Sequence, residues 1–230
     1  MKTMSFMKSV MVSFFLLCGI SMNAQTASYY NTKHEVAFSV GAGPNSQIIN
    51  DIADFSTAFS EIIVSSLLTG GQIVGSTSYE NERYLPAFSA EYFYHVNKVI
   101  GIGGIVAFTG QKSDMYGTIE YSSSNKTEKG KIGEAKRTCF SILPAVKFDW
   151  LRKKNVGLYS KVAIGASFMN EKQTLEADGK SGEVDNDNRV IVNFQASLIG
   201  CEVGSEKVRG FAELGWGEQG IAMAGIRCKF

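Results

Sequence analysis

Three prolines are all that interrupt this chain of 230 residues, against 24 glycines. A disordered or linker-rich protein carries more proline, whereas glycine without proline suits many strands joined by tight turns. The chain is expected to fold throughout, as one larger all-β domain rather than two small ones. Net charge is also missing. The 23 basic and 22 acidic residues leave +1, so no overall field recruits nucleic acid or an anionic surface, and no nucleic-acid partner is expected. Cysteine is scarce. Beyond Cys18 in the leading segment there are Cys139, Cys201 and Cys228, odd in number, widely spaced and without a C-x-x-C pair. That excludes a disulfide scaffold and a zinc site, and each reads as a small apolar strand residue. Long hydrophobic runs are absent too. Nothing after residue 24 reaches the roughly 20 apolar residues of a transmembrane helix, so spanning by helices is excluded.

What is present begins with a leader. In "MKTMSFMKSVMVSFFLLCGISMNAQ", Lys2 and Lys8 precede an apolar stretch from Val10 to Ile20, and Ser21-Met22-Asn23-Ala24 follow. This reads as a signal peptide over residues 1–24, cut after Ala24. Its apolar run of about 11 residues is too short for a retained anchor. Lipidation at Cys18 is disfavoured by the bulky Leu17 before it.

Eight later segments alternate with period two: 34–43, 84–96, 99–110, 137–150, 156–169, 189–203, 208–216 and 220–230. Most match or exceed the roughly 9–11 residues with which a tilted strand crosses a bilayer, against about 5–6 for an average soluble strand. Their connections alternate between tight polar turns (Asn97-Lys98, 152–155, 204–207) and longer ones (44–83, 111–136, 170–188), with a short one at 217–219. Short turns on one rim and long loops on the other mark a barrel whose two ends face different compartments.

The parity of the apolar residues decides which face meets what. In the fifth segment the even positions are Leu158, Ser160, Val162, Ile164, Ala166 and Phe168; the sixth repeats this with Val190, Val192, Phe194, Ala196 and Leu198. The odd positions carry Glu35, Glu91, Lys147, Lys161, Glu213 and Arg227, with His95 and Lys229 near one rim. A soluble barrel would bury those charges in an apolar core. Apolar outside and polar within is what lipid requires, and closure removes the strand edge that hydrocarbon cannot hydrate. Tyr84, Tyr92, Tyr94, Phe148, Trp150, Phe168, Trp216 and Phe230 near segment ends suit interfacial girdles.

On this pattern, and on the closing "IRCKF", residues 34–230 resemble the small eight-stranded outer-membrane barrels of the OmpA/OmpX type; the "NAQ" cleavage region and terminal aromatic resemble outer-membrane proteins of Bacteroidetes-like bacteria. The resemblance implies an all-β, antiparallel up-and-down transmembrane barrel with both ends at the periplasmic rim, and a periplasmic segment over 25–33. It implies outer-membrane lipid as surroundings and an insertion machinery that reads Phe230 as a lipid-facing terminal signature. No peptidoglycan-binding domain is expected after residue 230.

One stretch departs from the pattern. "SQIINDIADFSTAFSEIIVSSLLTGG" (46–71) spaces Ile48, Ile52, Phe55, Phe59 and Ile62 by four and three, with Ile49, Ile63 and Leu67 widening the stripe. This predicts an amphipathic helix of about six turns within the loop at 44–83, capped by Asn45 or Ser46 and ended by Gly70-Gly71. Its apolar face is expected to pack on the barrel's own rim and loops. A lid on the mouth, an interfacial helix in the outer leaflet and a docking surface for an extracellular partner are the other readings.

No catalytic, cofactor or metal site is expected. His34 and His95 both fall at the periplasmic rim, away from where a lipid hydrolase would need its base. The acidic stretch 176–188 lacks the Gly and final Glu of a calcium loop and reads as solvated, while the alternation of "MYGTIEYSSS" within 111–136 suggests that the third and fourth strands continue beyond the membrane as a protruding hairpin, solvated rather than paired with another chain. Eight strands leave room only for side chains, so Glu91, Lys147, Lys161, Glu213 and Arg227 are expected to form a polar lumen network rather than line a channel. The expected function is a non-enzymatic barrel presenting extracellular loops for surface interaction or envelope integrity. The alternatives are a narrow low-conductance pore and a soluble lipocalin-like carrier.

Overall fold

A computed structural model describes residues 32–230 apart from 125, 178 and 179; the expected leader and most of the segment at 25–33 lie outside the described residues. The strands are β1 (His34–Ala42), β2 (Ile73–His95), β3 (Ile100–Tyr121), β4 (Lys126–Arg152), β5 (Val156–Ala177), β6 (Lys180–Gly204), β7 (Val208–Gly217) and β8 (Ala222–Lys229). One helix, α1 (Asn45–Leu68), stands between β1 and β2. Neighbours in sequence pair antiparallel and β1 closes on β8, which makes an eight-stranded up-and-down barrel. His34 and Phe230 exchange backbone hydrogen bonds of 2.9 Å in both directions and stack their rings 5.7 Å apart, so the terminal residue is tied into the closing ladder.

Alternation sorts the wall into two faces. Val162, Phe194 and Leu214 are 50%, 38% and 53% exposed, while Glu91 and Lys161 are 2% and 0% exposed. The three prolines sit where a missing N–H costs little: Pro44 precedes α1, Pro86 lies in the bulge between Leu85 and Phe88, and Pro144 falls where the β4–β5 ladder skips two residues.

Even-outward parity does not run the whole length of β6. A bulge between Ser197 and Ile199 inserts one residue, so Leu198 faces out but Glu202 turns inward and Val203 outward. A single extra residue flips every later side chain.

Strands β2 to β6 are 22 to 27 residues long, whereas β1, β7 and β8 have 9, 10 and 8. The surplus lies at the end opposite the tight turns. There β3 and β4 stay paired out to Tyr121↔Lys126, and β5 and β6 out to Ala177↔Lys180. The stretch 111–136 is therefore the protruding hairpin that the alternation of "MYGTIEYSSS" suggests, and 170–188 is a strand hairpin too, although the acidic composition of 176–188 reads as a solvated loop. The lower part of the β3–β4 extension still buries one face, with Gln111, Ser113, Met115 and Ala135 inward, and only beyond it are both faces open to water, so that neither needs an apolar residue there. Because β1 stops at Ala42, the extended part of β2 is a sheet edge, and α1 lies along it.

Candidate functional site

The lumen is filled by an ionic network. Lys147 reaches Glu35 at 2.6 Å and Asp149 at 3.4 Å, and His95 lies 3.2 Å from Glu35 and 3.3 Å from Asp149. Arg209 contacts Glu202 at 2.6 Å, and Lys229 also bonds Glu202. Arg227 spans the middle of the barrel, donating to Glu202 at 2.9 Å and to Glu91 at 3.2 Å. Lys161 bonds Glu91 and lies 2.8 Å from Glu213. Tyr159 donates its hydroxyl to Glu213 at 2.5 Å while Lys147 and Arg227 sit over its ring at 4.3 and 4.4 Å.

Glu91, Lys147, Lys161, Glu213 and Arg227 are thus brought into one connected cluster, with Lys147 joined through Glu35 and Glu202. Glu202, Arg209, Asp149 and Tyr159 complete it. Arg209 could have been found, since it shares the odd parity of Glu213 on β7. Glu202 could not, because its inward direction depends on the bulge.

A buried ionic lattice holds shape more than it adds net stability. Desolvating the charges offsets their attraction, but removing one partner strands another charge at a cost of about 3–5 kcal/mol. The charged members contact opposite charges on other strands, so the arrangement ties seven strands together, β1, β2 and β4 to β8. Apolar Phe93, Ile105, Leu143, Ala145 and Ala163 fill the adjacent part of the lumen.

Polar contacts close the mouth opposite the tight turns. Ser46 donates its backbone N–H and its hydroxyl to Glu218 of the β7–β8 turn at 3.1 and 2.9 Å. Gln47 donates to Thr109 and to the carbonyl of Leu85, both at 3.0 Å, and Asn50 donates to Gln111 at 3.0 Å. The gap left between α1 and the mouth is about 10 Å³, which barely admits a single water. The first turn of α1 is a plug.

Beyond the mouth the same stripe of α1 continues outward. Arg137 grips Asp54 with two bonds of 2.5 and 2.6 Å and donates to Glu171 at 2.9 Å. Glu61 accepts the N–H of Thr77 at 2.5 Å, Ser65 accepts that of Gly75 at 2.9 Å, and Thr69, just past the helix, accepts that of Ile73 at 3.0 Å. These three acceptors occupy alternate N–H groups of the free β2 edge, which protects it from pairing with another chain.

The stripe that packs is therefore the polar one, and the expected packing of the apolar face on the barrel rim does not hold. The mouth and the sheet edge offer charges and unpaired amides, so the helix turns its Ser, Asn, Asp and Glu residues to them. Ile48 is half-buried, whereas Ile52, Phe55, Phe59 and Ile62 are 64%, 74%, 56% and 39% exposed.

Between the outer turns of α1 and the extended sheet lies an open cleft of about 890 Å³. Gly75, Gly117 and Gly130 give it a floor of bare backbone; Val64, Leu68, Ile119 and Ile132 flank it, with Glu61 and Lys129 at its margin.

No known protein family and no curated protein matches the chain. Among solved structures it is similar to Ail, the attachment invasion locus protein of Yersinia pestis, at 11% identity, over 86% of this chain and 93% of that one, with a TM-score of 0.37. A second structure of Ail, in complex with the heparin analogue sucrose octasulfate, aligns at 11% identity over 86% and 94%, with a TM-score of 0.36. The architecture itself rests on the ladder: the chain is an eight-stranded antiparallel barrel with one helix in its first long connection.

Proposed function

We propose that the chain, exported by removal of residues 1–24, resides in the outer membrane and presents its extension and α1 to the exterior for surface interaction or envelope integrity, without chemistry of its own. The observation that carries this reading is the inverted wall, with Val162, Phe194 and Leu214 outward and Glu91, Lys161 and Arg227 sealed within. Water on that outer surface would face a belt of Val, Ile, Leu and Phe far larger than a soluble monomer tolerates. Lipid removes the conflict.

Orientation follows from the rims. The tight turns at 96–99, 153–155 and 205–207 lie on the side of both chain ends, which suits the periplasm. There His34 clusters with Tyr92, Tyr94 and Phe230, while Phe194 and Trp216 meet at 6.3 Å near the opposite rim, as interfacial girdles require. An insertion machinery would meet β8 with Phe230 at its end. The filled lumen and the plugged mouth favour a presenting scaffold over a narrow pore.

The test is fractionation followed by heat-modifiable migration on a denaturing gel. Recovery in the outer membrane with a mobility shift on boiling is expected, and recovery in the soluble periplasm overturns the placement. A tag inserted at Ser123 should be reached by antibody on intact cells. Steps of single-channel conductance in planar bilayers would replace the scaffold reading with the pore.

A further inference from the structure

The unpartnered face of α1 has a definite geometry. Ile48, Ile52, Phe55, Phe59 and Ile62 follow intervals of four, three, four and three, which is a seven-residue repeat. With Ile49 and Ile63 beside it, this repeat makes an apolar stripe that can receive the matching stripe of a second helix. Phe55 and Phe59 already stack 6.4 Å apart along it. The residues opposite the seam, Asn50, Asp54 and Glu61, are the ones fastened to the barrel.

Resting on the outer-membrane placement proposed above, we infer that α1 pairs with the α1 of a second copy of this chain, the two helices lying side by side and parallel. Two copies in one membrane share an orientation, so the twofold axis relating them runs along the membrane normal and sets like residues against like.

Charge permits this occupant and disfavours lipid. The acids of α1 are Asp51, Asp54 and Glu61, and the helix has no Lys or Arg. Asp54 and Glu61 are engaged away from the seam, and Asp51 accepts from Tyr84 at 3.2 Å and Gln111 at 3.3 Å. The positions flanking the seam are otherwise Ile49, Ser56, Ala58, Ile63 and Ser65, so no like charges meet across a parallel pair. A helix that lies on an anionic leaflet carries Lys and Arg along its polar face, and this one carries acids.

Covering Ile52, Phe55, Phe59, Ile62 and Ile63 on both copies removes about 1,100 Å² from solvent, above the roughly 1,000 Å² that a biological interface should clear.

The experiment uses the full chain in its membrane, in a background with Cys139, Cys201 and Cys228 changed to Ala. Single variants Ile52→Cys, Phe59→Cys and Ile62→Cys are oxidised on intact cells, with Ser60→Cys, on the face toward the cleft, as control. Disulfide-linked dimers at all three seam positions and not at Ser60 are expected; Ile52 and Ile62 both cross-link to themselves only in a parallel pair. Phe55→Asp with Phe59→Asp should reduce the dimer by about tenfold or more while heat-modifiable migration is kept. Monomers at all positions in protein that still shows the heat shift overturn the pairing alone. Cross-linking to a different protein, or a blue-shifted Phe59→Trp emission in a monomer, overturns it in favour of another protein or lipid. Loss of the heat shift in the parent chain counts against the membrane placement itself.

Discussion

Glu218, in the turn between the last two strands, binds both the backbone N–H and the hydroxyl of Ser46 in the first turn of α1. The residue before the helix is Pro44, which has no side-chain acceptor to offer, so a carboxylate from 172 residues away serves as its cap. A negative group at a helix N-terminus also opposes the helix dipole favourably. Glu218→Ala should weaken the seat of α1 by about 0.5–2 kcal/mol, the usual scale of a lost cap. Limited proteolysis read by mass spectrometry should then cut within 45–68 faster than in the parent, while the barrel keeps its gel mobility. Unchanged protection of α1 would show that Arg137 and the β2 edge hold it without this cap.

Lys161 is the shared partner of Glu91 and Glu213. Lys161→Met keeps the length of the side chain and leaves two carboxylates facing each other in the lumen. The expected loss is about 3–5 kcal/mol, measured from urea-dependent folding into vesicles. Adding Glu91→Gln should recover part of it, since one buried charge is then gone. Equal losses in the single and double variants would mean that shape and not charge sets the cost.

The wall of the barrel was legible because one face had to be apolar at every second residue. Glu91, Lys161, Glu213 and Arg227 could be placed inward by counting, and the structure buries all four. Counting fails after Ser197, where the bulge turns Glu202 into the centre of the network. It also fails above the rim: "KTEKGK" at 126–131 is solvated on both sides and has no period to read, yet it holds a register of paired strands. For α1 the period was legible and the direction was not. Which stripe packs depends on what the neighbour offers, and the neighbour is a polar mouth and a free sheet edge, neither visible in the helix's own residues.

The extension should have a pH window. Hydrogen bonds from Lys131 and Asn81 hold Asp114 below its ordinary 3.8, and bonds from Lys112 and Lys131 hold Glu134 below 4.5. The contribution of these carboxylates is complete above those values and drains away as pH falls through the lowered ones. Lys131 moves the other way: its bond to Asp114 raises it above 10.5, so its share is complete below 10.5 and is lost as pH rises further. The β3–β4 extension should therefore keep these pairs from about pH 5 to about pH 10. NMR titration of the Asp114 and Glu134 carboxyl carbons checks this, and midpoints at or above the ordinary values would refute it.

Tyr159 and Gly200 face each other across β5 and β6, and a Cβ built at Gly200 would enter the tyrosine ring. The glycine is needed for space there and not for an unusual backbone angle. Its absence of a side chain lets the ring lie between Lys147 and Arg227 with its hydroxyl on Glu213. Gly200→Val should force the ring off this position and cost roughly 1–3 kcal/mol from overpacking, with the lost cation–π contacts and hydroxyl bond in addition. Tyr159→Ala alone opens a cavity and strands Glu213, which is also destabilising. The double variant fills part of that cavity with the valine, so the two losses should fall short of adding, with an interaction energy of about 1 kcal/mol or more in a double-mutant cycle measured by urea-dependent folding. Strict additivity would mean that Gly200 is not there to make room for the ring.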